Sequence, residues 1–315
     1  AKRDGLPHWK GWLIRVAAVV LALILSGAFI YAITRLNPVQ VYEAMFEGAF
    51  GSSRRSWVTI RDAMMLLCIG IGLAPAFKMK FWNIGAEGQI LVGGILTAGL
   101  MIHLGYTFST PILLCIMALA SIAAGALWGL IPAIFKARWG TNETLFTLMM
   151  NYIATQLAAY YIIVWEVPKG SGKIGIINQS TEIGWLPQIS NQYLLSIVVV
   201  AILTGCMYIY LNHSKHGYEI AVVGESQRTA SYAGIKVERV IIRTMVLSGA
   251  ICGLMGLLLV GGINHTLTTT VVDSRGFTAV MVSWMAKFNP LMMIFTSLLL
   301  VFLSRGASEI SSTFG

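Results

Sequence analysis

Apolar residues fill long stretches of this chain, and short polar segments separate them. Eight stretches hold 17 or more mostly apolar residues: 11–34, 56–77, 81–103, 110–135, 144–165, 192–212, 241–262 and 288–304. As helices, they are each long enough to cross about 30 Å of hydrocarbon. A ninth element, at 276–286, is predicted to be a short or broken helix, because Asp273 and Arg275 interrupt the apolar pattern before it. Backbone groups in lipid must be satisfied internally, so the pattern predicts an all-α integral membrane bundle.

Composition supports this class. Hydrophobic residues make up 57% of the 315 residues and charged residues 11%, which is too apolar for one water-soluble core. We predict a single transmembrane domain over residues 1–315. If each of the nine elements crosses once, a tenth returning helix is expected beyond Gly315.

Basic residues predict the orientation. Placing the amino terminus in the cytoplasm puts 14 of the 22 Lys and Arg on that side: Lys2, Arg3, Lys10, Arg15, Lys78, Lys80, Lys136, Arg138, Lys215, Arg228, Lys236, Arg239, Arg243 and Lys287. Loop 213–240 is then cytoplasmic and loop 166–191 extracytoplasmic. The net charge of +9 reflects topology and anionic lipid rather than nucleic acid, because no soluble segment interleaves basic and aromatic residues.

The chain carries no recognisable catalytic, metal or cofactor motif. Residues Lys169–Lys173 resemble a phosphate loop only faintly, because Val167 and Ile174 replace its first glycine and its Ser or Thr. His213 and His216 lack further ligands nearby. The four cysteines stand singly in apolar runs and are expected to be buried packing residues: Cys68, Cys115, Cys206 and Cys252. Two G-x-x-x-G pairs, Gly125 with Gly129 and Gly249 with Gly253, predict close helix contacts.

Two polar segments open apolar stretches. In Phe81–Ile90, Asn83 is a candidate helix cap, with Glu87 and Gln89 in the turn that follows. Gly140–Asn151 offers Thr141 or Asn142 as a cap. The residues that we single out as candidates for a solute pathway are Asn83, Glu87, Gln89, Asn142, Glu143, Thr147 and Asn151. The alternative is that they only tie neighbouring helices together.

Loop 213–240 is polar, basic and strongly patterned. Ser226 can cap a short helix over Gln227–Ala233, and Gly234 suits the position just past its end. Ala230 and Ala233 are predicted to form a small flat face that seats in a groove of another protein. An amphipathic helix lying on the inner leaflet is the alternative.

Three strings carry a family resemblance: FWNIGAEGQILVGG, TNETLFTLMMNYIA and GYEIAVVGESQRTASYAGIK. Over roughly residues 56–306 the chain resembles permease subunits of bacterial ABC importers of the ribose, branched-chain amino acid and nucleoside group. Its N-I-G-A-E-G-Q form is most similar to the nucleoside branch, whose partners include a lipoprotein of the basic membrane protein type. Ser226 stands where the family usually has Asn, and Thr229 where it often has Ala.

The resemblance implies a type II importer permease of about ten helices in the bacterial cytoplasmic membrane. Two permeases, identical or related, would work with two cytoplasmic ATPases, which hold ATP and magnesium, and with a substrate-binding lipoprotein. The residues that would couple to the ATPase are Gly224, Glu225, Ser226, Arg228, Ala230, Tyr232, Ala233 and Gly234. The predicted substrate is a nucleoside or related sugar.

A secondary transporter or channel that works without an ATPase is the alternative function. Such a carrier usually needs carboxylates in mid-membrane, whereas the acidic residues of this chain are predicted to cluster at helix ends and in loops.

Overall fold

The computed structural model describes residues 8–314, with side chains from residue 17. The basic residues Lys2 and Arg3 lie outside this range, as do the side chains of Lys10 and Arg15. The described residues form twelve α-helices: α1 His8–Thr34, α2 Pro38–Phe50, α3 Ser53–Lys78, α4 Ala86–Leu104, α5 Thr110–Trp139, α6 Glu143–Trp165, α7 Leu194–His213, α8 Lys215–Glu225, α9 Gln227–Tyr232, α10 Val237–Leu259, α11 Arg275–Met285 and α12 Pro290–Phe314. A π-helical turn, Val260–Asn264, extends α10.

Eight of these helices are long and apolar enough to cross a membrane, and they correspond to the eight predicted stretches. The short helix predicted at 276–286 is also present, as α11. Two predicted boundaries are wrong. Helix α4 begins at Ala86 rather than at 81, and α12 continues to Phe314 rather than ending near 304.

The described chain divides into two compact units. The smaller one holds the residues up to Thr59 and those from Val301 onward, including α2, which the apolar pattern does not reveal. Asn37 caps α2 by accepting a hydrogen bond from the amide of Val39. Arg55 forms an ion pair with Glu309 at 3.0 Å, which explains how the polar end of α12 is held as a helix.

In the larger unit, residues 60–300, helices α4, α5 and α10 pack backbone against backbone through glycines. A Cβ atom added to Gly125 would lie 2.6 Å from the Cα of Gly253, and one added to Gly256 would lie 2.5 Å from the amide nitrogen of Gly94. Such close approach is the usual role of small residues between helices in lipid. The contacts predicted for the two G-x-x-x-G pairs are confirmed.

The cysteines only partly follow prediction. Cys68 and Cys252 are buried, whereas Cys115 and Cys206 are exposed on the surface of the chain. The expectation that all four are buried is therefore wrong. An apolar stretch in a membrane protein has an outward face as well as an inward one, and both are apolar, so the sequence does not tell them apart.

The glycines at 170 and 172 bind a carboxylate of their own chain. Glu166 accepts hydrogen bonds from the amides of Gly170 at 2.7 Å and Gly172 at 2.8 Å. These bonds lower the pKa of Glu166, because they stabilise its charged form. The faint likeness to a phosphate loop is thus explained by a backbone turn that is already occupied by an internal anion.

Candidate functional site

Helix α4 begins inside the helical bundle, after the non-helical segment Phe81–Gly85. The Asn83 side chain is fully buried, accepts a hydrogen bond from the amide of Gly85 at 3.0 Å and donates one to the hydroxyl of Ser248 at 3.0 Å. The residue at the cap position is Gly85, so Asn83 is not the helix cap that the sequence predicts. It instead ties the segment to α10. Gln89 is also buried, with its amide 3.4 Å from the Asn83 side-chain oxygen.

Two side chains of α6 hold this segment. The Thr147 hydroxyl accepts a hydrogen bond from the amide of Ile84 at 3.2 Å. Asn151 accepts one from the amide of Gly88 and donates one to the carbonyl of Ile84, both at 2.8 Å. Thr147 and Asn151 lie about 6 Å and 12 Å along α6 from Glu143, at 1.5 Å per residue. Non-helical backbone at this depth is tolerated in a membrane only when such groups satisfy it.

Helix α11 also begins within the bundle. The Arg275 guanidinium lies 3.9 Å from the sulfur of Met65, which is about 20 Å along α3 from Lys78. Glu87, in the first turn of α4, accepts a hydrogen bond from the amide of Gly276 at 3.0 Å. One carboxylate therefore joins the starts of two interrupted helices, where the positive ends of both helix dipoles favour a negative group.

Between α4, α6 and α11 lies a cleft of about 270 Å³, which we call the Glu87 cleft. Glu87 and Asn151, both singled out from the sequence, line it. The cleft is also lined by residues that the sequence analysis missed: Leu91, Leu148, Tyr152, Thr155, Thr269, Thr270, Asp273, Ser274 and Phe277. A signal was available, because an apolar stretch interrupted by Asp273 and Arg275 is typical of the broken helices that form binding sites in transporters.

A larger and mainly apolar cavity of about 740 Å³ adjoins the cleft, and Thr269 lines both. Its walls come from the last turns of α6, such as Ile162 and Ile163, and from loop segments around Ile174 and Thr268. The two cavities together follow α6 from Asn151 to near its carboxyl end. This arrangement offers a small molecule an apolar compartment followed by a polar one.

Asn142 and Glu143 do not line the cleft. Asn142 caps α6 by accepting hydrogen bonds from the amides of Thr144 and Leu145. Glu143 forms an ion pair with Lys136 at 2.7 Å, beside a separate cavity of about 90 Å³ that Lys80 and Gln227 also line. The prediction that Thr141 or Asn142 caps α6 is confirmed for Asn142. Glu143 lies beside α9 rather than on the cleft.

Helix α8 is fixed firmly to the rest of the larger unit. A Cβ atom added to Gly224 would collide with the backbone carbonyl oxygen of Lys78, so only glycine lets α8 lie against the end of α3. Glu219 forms a 2.9 Å ion pair with Arg243 of α10. The hydrogen bond from Arg243 lowers the pKa of Glu219, because it stabilises the carboxylate.

Helix α9 projects from this support. Ser226 caps it by accepting a hydrogen bond from the amide of Thr229 at 3.2 Å, and Gly234 follows it at a φ of 77°. Both features confirm the sequence prediction. Ala230, however, is fully buried, whereas Tyr232 is 92% exposed.

The small exposed face predicted for Ala230 and Ala233 is therefore wrong. Ala230 faces inward, because a helix of only six residues is anchored through one side and its alanine is the side chain that fits there. The exposed candidates are Glu225, Arg228, Tyr232, Ala233 and Gly234. Gly224 is buried, so it would contribute to docking only by fixing the position of α8, from which α9 projects.

Interrupted helices, an internal polar cleft and a projecting helical arm define a multi-spanning membrane transport protein. A family model described as the permease component of a branched-chain amino acid transport system matches residues 58–313, so the chain belongs to this permease family. It is a transmembrane permease subunit of an ABC importer rather than a catalytic enzyme.

Several curated proteins are similar. The guanosine ABC transporter permease protein NupP of Bacillus subtilis is 35% identical over 78% of this chain and 70% of its own length. The nucleoside ABC transporter permease protein NupB of Lactococcus lactis is 28% identical over 94% of this chain and 83% of its own. A glucose ABC transporter permease protein of Haloferax volcanii is 25% identical over 99% of this chain and 84% of its own. No solved structure matches.

Proposed function

We propose that this permease carries an uncharged nucleoside or a related sugar through the Glu87 cleft. The observation that carries the proposal is the cleft itself: within the described chain its lining offers hydroxyl, amide and carboxylate groups and two aromatic rings, but no Lys, Arg or His. Such a lining suits a neutral solute with many hydrogen-bonding groups. Relatives named as guanosine, nucleoside and glucose permeases support the same class of solute.

The polar cleft also supports a paired permease. Polar and ionisable groups at this depth face a bundle interior or a water-filled path rather than lipid. A second copy of this chain, or a related permease, would cover the cleft and complete the pathway. A substrate-binding lipoprotein would deliver the solute from outside.

The basic residues support a cytoplasmic position for α9. Lys78, Lys80 and Lys136 lie at the same end of the bundle as Gln227 of α9, and cytoplasmic ends are rich in Lys and Arg. With α9 on the cytoplasmic side, the amino terminus would also lie in the cytoplasm, and the protein would lie in the bacterial cytoplasmic membrane. Segment Ser226–Gly234 would then dock onto a separate ATPase that binds ATP and magnesium.

One observation departs from the sequence argument against a carrier without an ATPase. Asp62 is buried nine residues after the start of α3, beside Arg61 at 2.8 Å, so the acidic residues are not confined to helix ends and loops as predicted. Family membership weighs against this alternative. One experiment distinguishes the ATP-driven importer from the carrier without an ATPase. It measures uptake of guanosine into proteoliposomes that hold the permeases, the ATPase and the binding protein. We expect uptake only with ATP, and uptake without ATPase or ATP would contradict the proposal.

Substitutions on the exposed side of α9 test the docking segment. Tyr232→Ala and Arg228→Ala are each expected to reduce copurification of the ATPase, and ATP-driven uptake, at least fivefold. Both are surface side chains of types that often dominate protein interfaces, and neither substitution removes a buried contact. The measurement is the ratio of ATPase to permease after affinity purification, together with the amount of permease in the membrane.

Tyr106→Ala is the matched control, because this tyrosine is also exposed, at 74%, but follows the carboxyl end of α4 and is not part of α9. It should leave the ratio unchanged. Ala230→Arg is a poorer test, since it would force a charge into a buried position and disturb the helix itself. Normal ATPase binding and uptake by both α9 variants would refute the docking assignment.

A further inference from the structure

The Glu87 carboxylate uses only one of its two oxygens within the described chain. Oε1 accepts the hydrogen bond from the amide of Gly276, and Oε2 accepts none from the described residues. The carboxylate lines the cleft, so this second oxygen is available to a molecule there. A carboxylate can accept hydrogen bonds but cannot donate them, so a ligand at this oxygen must bring O–H or N–H groups.

The other polar groups around the cleft are hydroxyls. The Thr155 hydroxyl donates to the carbonyl of Asn151 at 3.0 Å and can still accept. Those of Thr269 and Thr270 make no hydrogen bond to other described residues, so they can donate and accept. Hydroxyl pairs on a sugar ring both donate and accept hydrogen bonds, and they therefore match a carboxylate surrounded by threonines.

Two aromatic rings line the same cleft. Tyr152 is 66% exposed and Phe277 is 43% exposed, so each has a free surface that can pack against a flat group. Aromatic side chains stack on nucleobases of any sequence, because every base has a π-face. The volume of about 270 Å³ lies near the lower end of the roughly 300–1,000 Å³ typical of small-molecule sites.

We infer that Glu87 is a specificity-determining residue that accepts hydrogen bonds from two neighbouring hydroxyls of the solute's sugar ring during passage. This rests on the proposed function and adds to it a particular contact. A carboxylate recognises ribose hydroxyls in the same way in many dinucleotide-binding proteins. The ligand class is a neutral solute with a vicinal diol, and its flat group lies toward the aromatic rings of the cleft.

The test compares two solutes in two proteins. Proteoliposomes with the complete importer take up guanosine or 2′,3′-dideoxyguanosine, which lacks both hydroxyls, and the ratio of the two rates is measured. We expect Glu87→Gln to reduce the guanosine-to-dideoxyguanosine ratio at least fivefold. Glutamine keeps an oxygen for the amide of Gly276, so the start of α11 stays held. Because the binding protein is identical in both cases, its own preference cancels from the comparison.

Glu43→Gln is the matched control. Glu43 is an exposed carboxylate of α2 that does not line the cleft, so its loss should leave the ratio within twofold of wild type. An unchanged ratio in Glu87→Gln, with both rates equally reduced, would show a structural role and overturn the inference. If the wild-type importer transports neither nucleoside, the substrate of the proposed function is wrong. Glucose and 2-deoxyglucose, tested in the same way, then decide the role of Glu87.

Discussion

Replacing Gly253 with alanine is expected to destabilise the protein, and replacing it with leucine is expected to prevent folding. A Cβ atom at this position would collide with the backbone carbonyl of Ser121 and lie 3.0 Å from the Cα of Gly125. These obstacles are backbone atoms of α5, so α5 and α10 must move apart along their whole contact. Overpacking of a rigid core typically costs about 1–3 kcal/mol, and separation of two backbones lies at or above the upper end.

Gly205→Ala provides the matched control. Gly205 also lies within a membrane-spanning helix, α7, but an added Cβ atom would have no neighbour within 4 Å among the described residues. Alanine is the better helix former by about 1 kcal/mol, so this variant should be neutral or slightly more stable. The unfolding temperature of each variant is measured by heating the protein in detergent and then determining the folded fraction by size-exclusion chromatography. Equal unfolding temperatures for Gly253→Ala and the wild type would contradict the contact between α5 and α10.

The number and position of the membrane helices could be predicted because lipid imposes one rule on all of them. A segment must be long, apolar and helical, and the sequence shows this directly. The pairing of helices could not be predicted. The glycine pairs at 125 and 249 indicate small surfaces, but any two such surfaces fit each other equally well on sequence grounds. Helix α2 could not be predicted by the rule for membrane helices, since its sequence is neither long nor continuously apolar.

For the candidate site, the sequence indicated residue types better than geometry. Asn83 and Asn151 stood out as polar groups in apolar surroundings, which correctly marked them as internal. Their partners include backbone groups within and just after one segment, Phe81–Gly85. The non-helical conformation of this segment depends on α6 and α10 being already in place. The threonines at 269 and 270 were missed because a loop that enters the bundle has the same composition as one that stays in water. Ala230 was assigned to the wrong side of α9, since six residues give no usable periodicity.

Asn151→Leu is expected to abolish uptake while leaving the protein inserted in the membrane. Leucine has the same branched arrangement of four side-chain heavy atoms, although its methyl groups are larger, and it removes both hydrogen bonds at 2.8 Å. The amide of Gly88 and the carbonyl of Ile84 then lack these partners. A buried polar group that loses its partner costs about 1–3 kcal/mol, and here two groups lose theirs at once. The start of α4 should then shift, and Glu87 should lose its position beside Gly276. ATP-driven uptake and thermal unfolding are the two measurements.

Thr204→Val separates this effect from the general cost of removing a buried polar side chain. Thr204 is 2% exposed in α7. Among the described residues, its hydroxyl donates only to the carbonyl of Val200, one turn earlier in the same helix. That carbonyl can also accept a helical amide, so valine should change stability by less than about 1 kcal/mol and leave uptake intact. If Asn151→Leu behaved like Thr204→Val, the non-helical segment before α4 would not need α6 to hold it. The Glu87 cleft would then lose its structural basis, because its carboxylate is positioned by this segment.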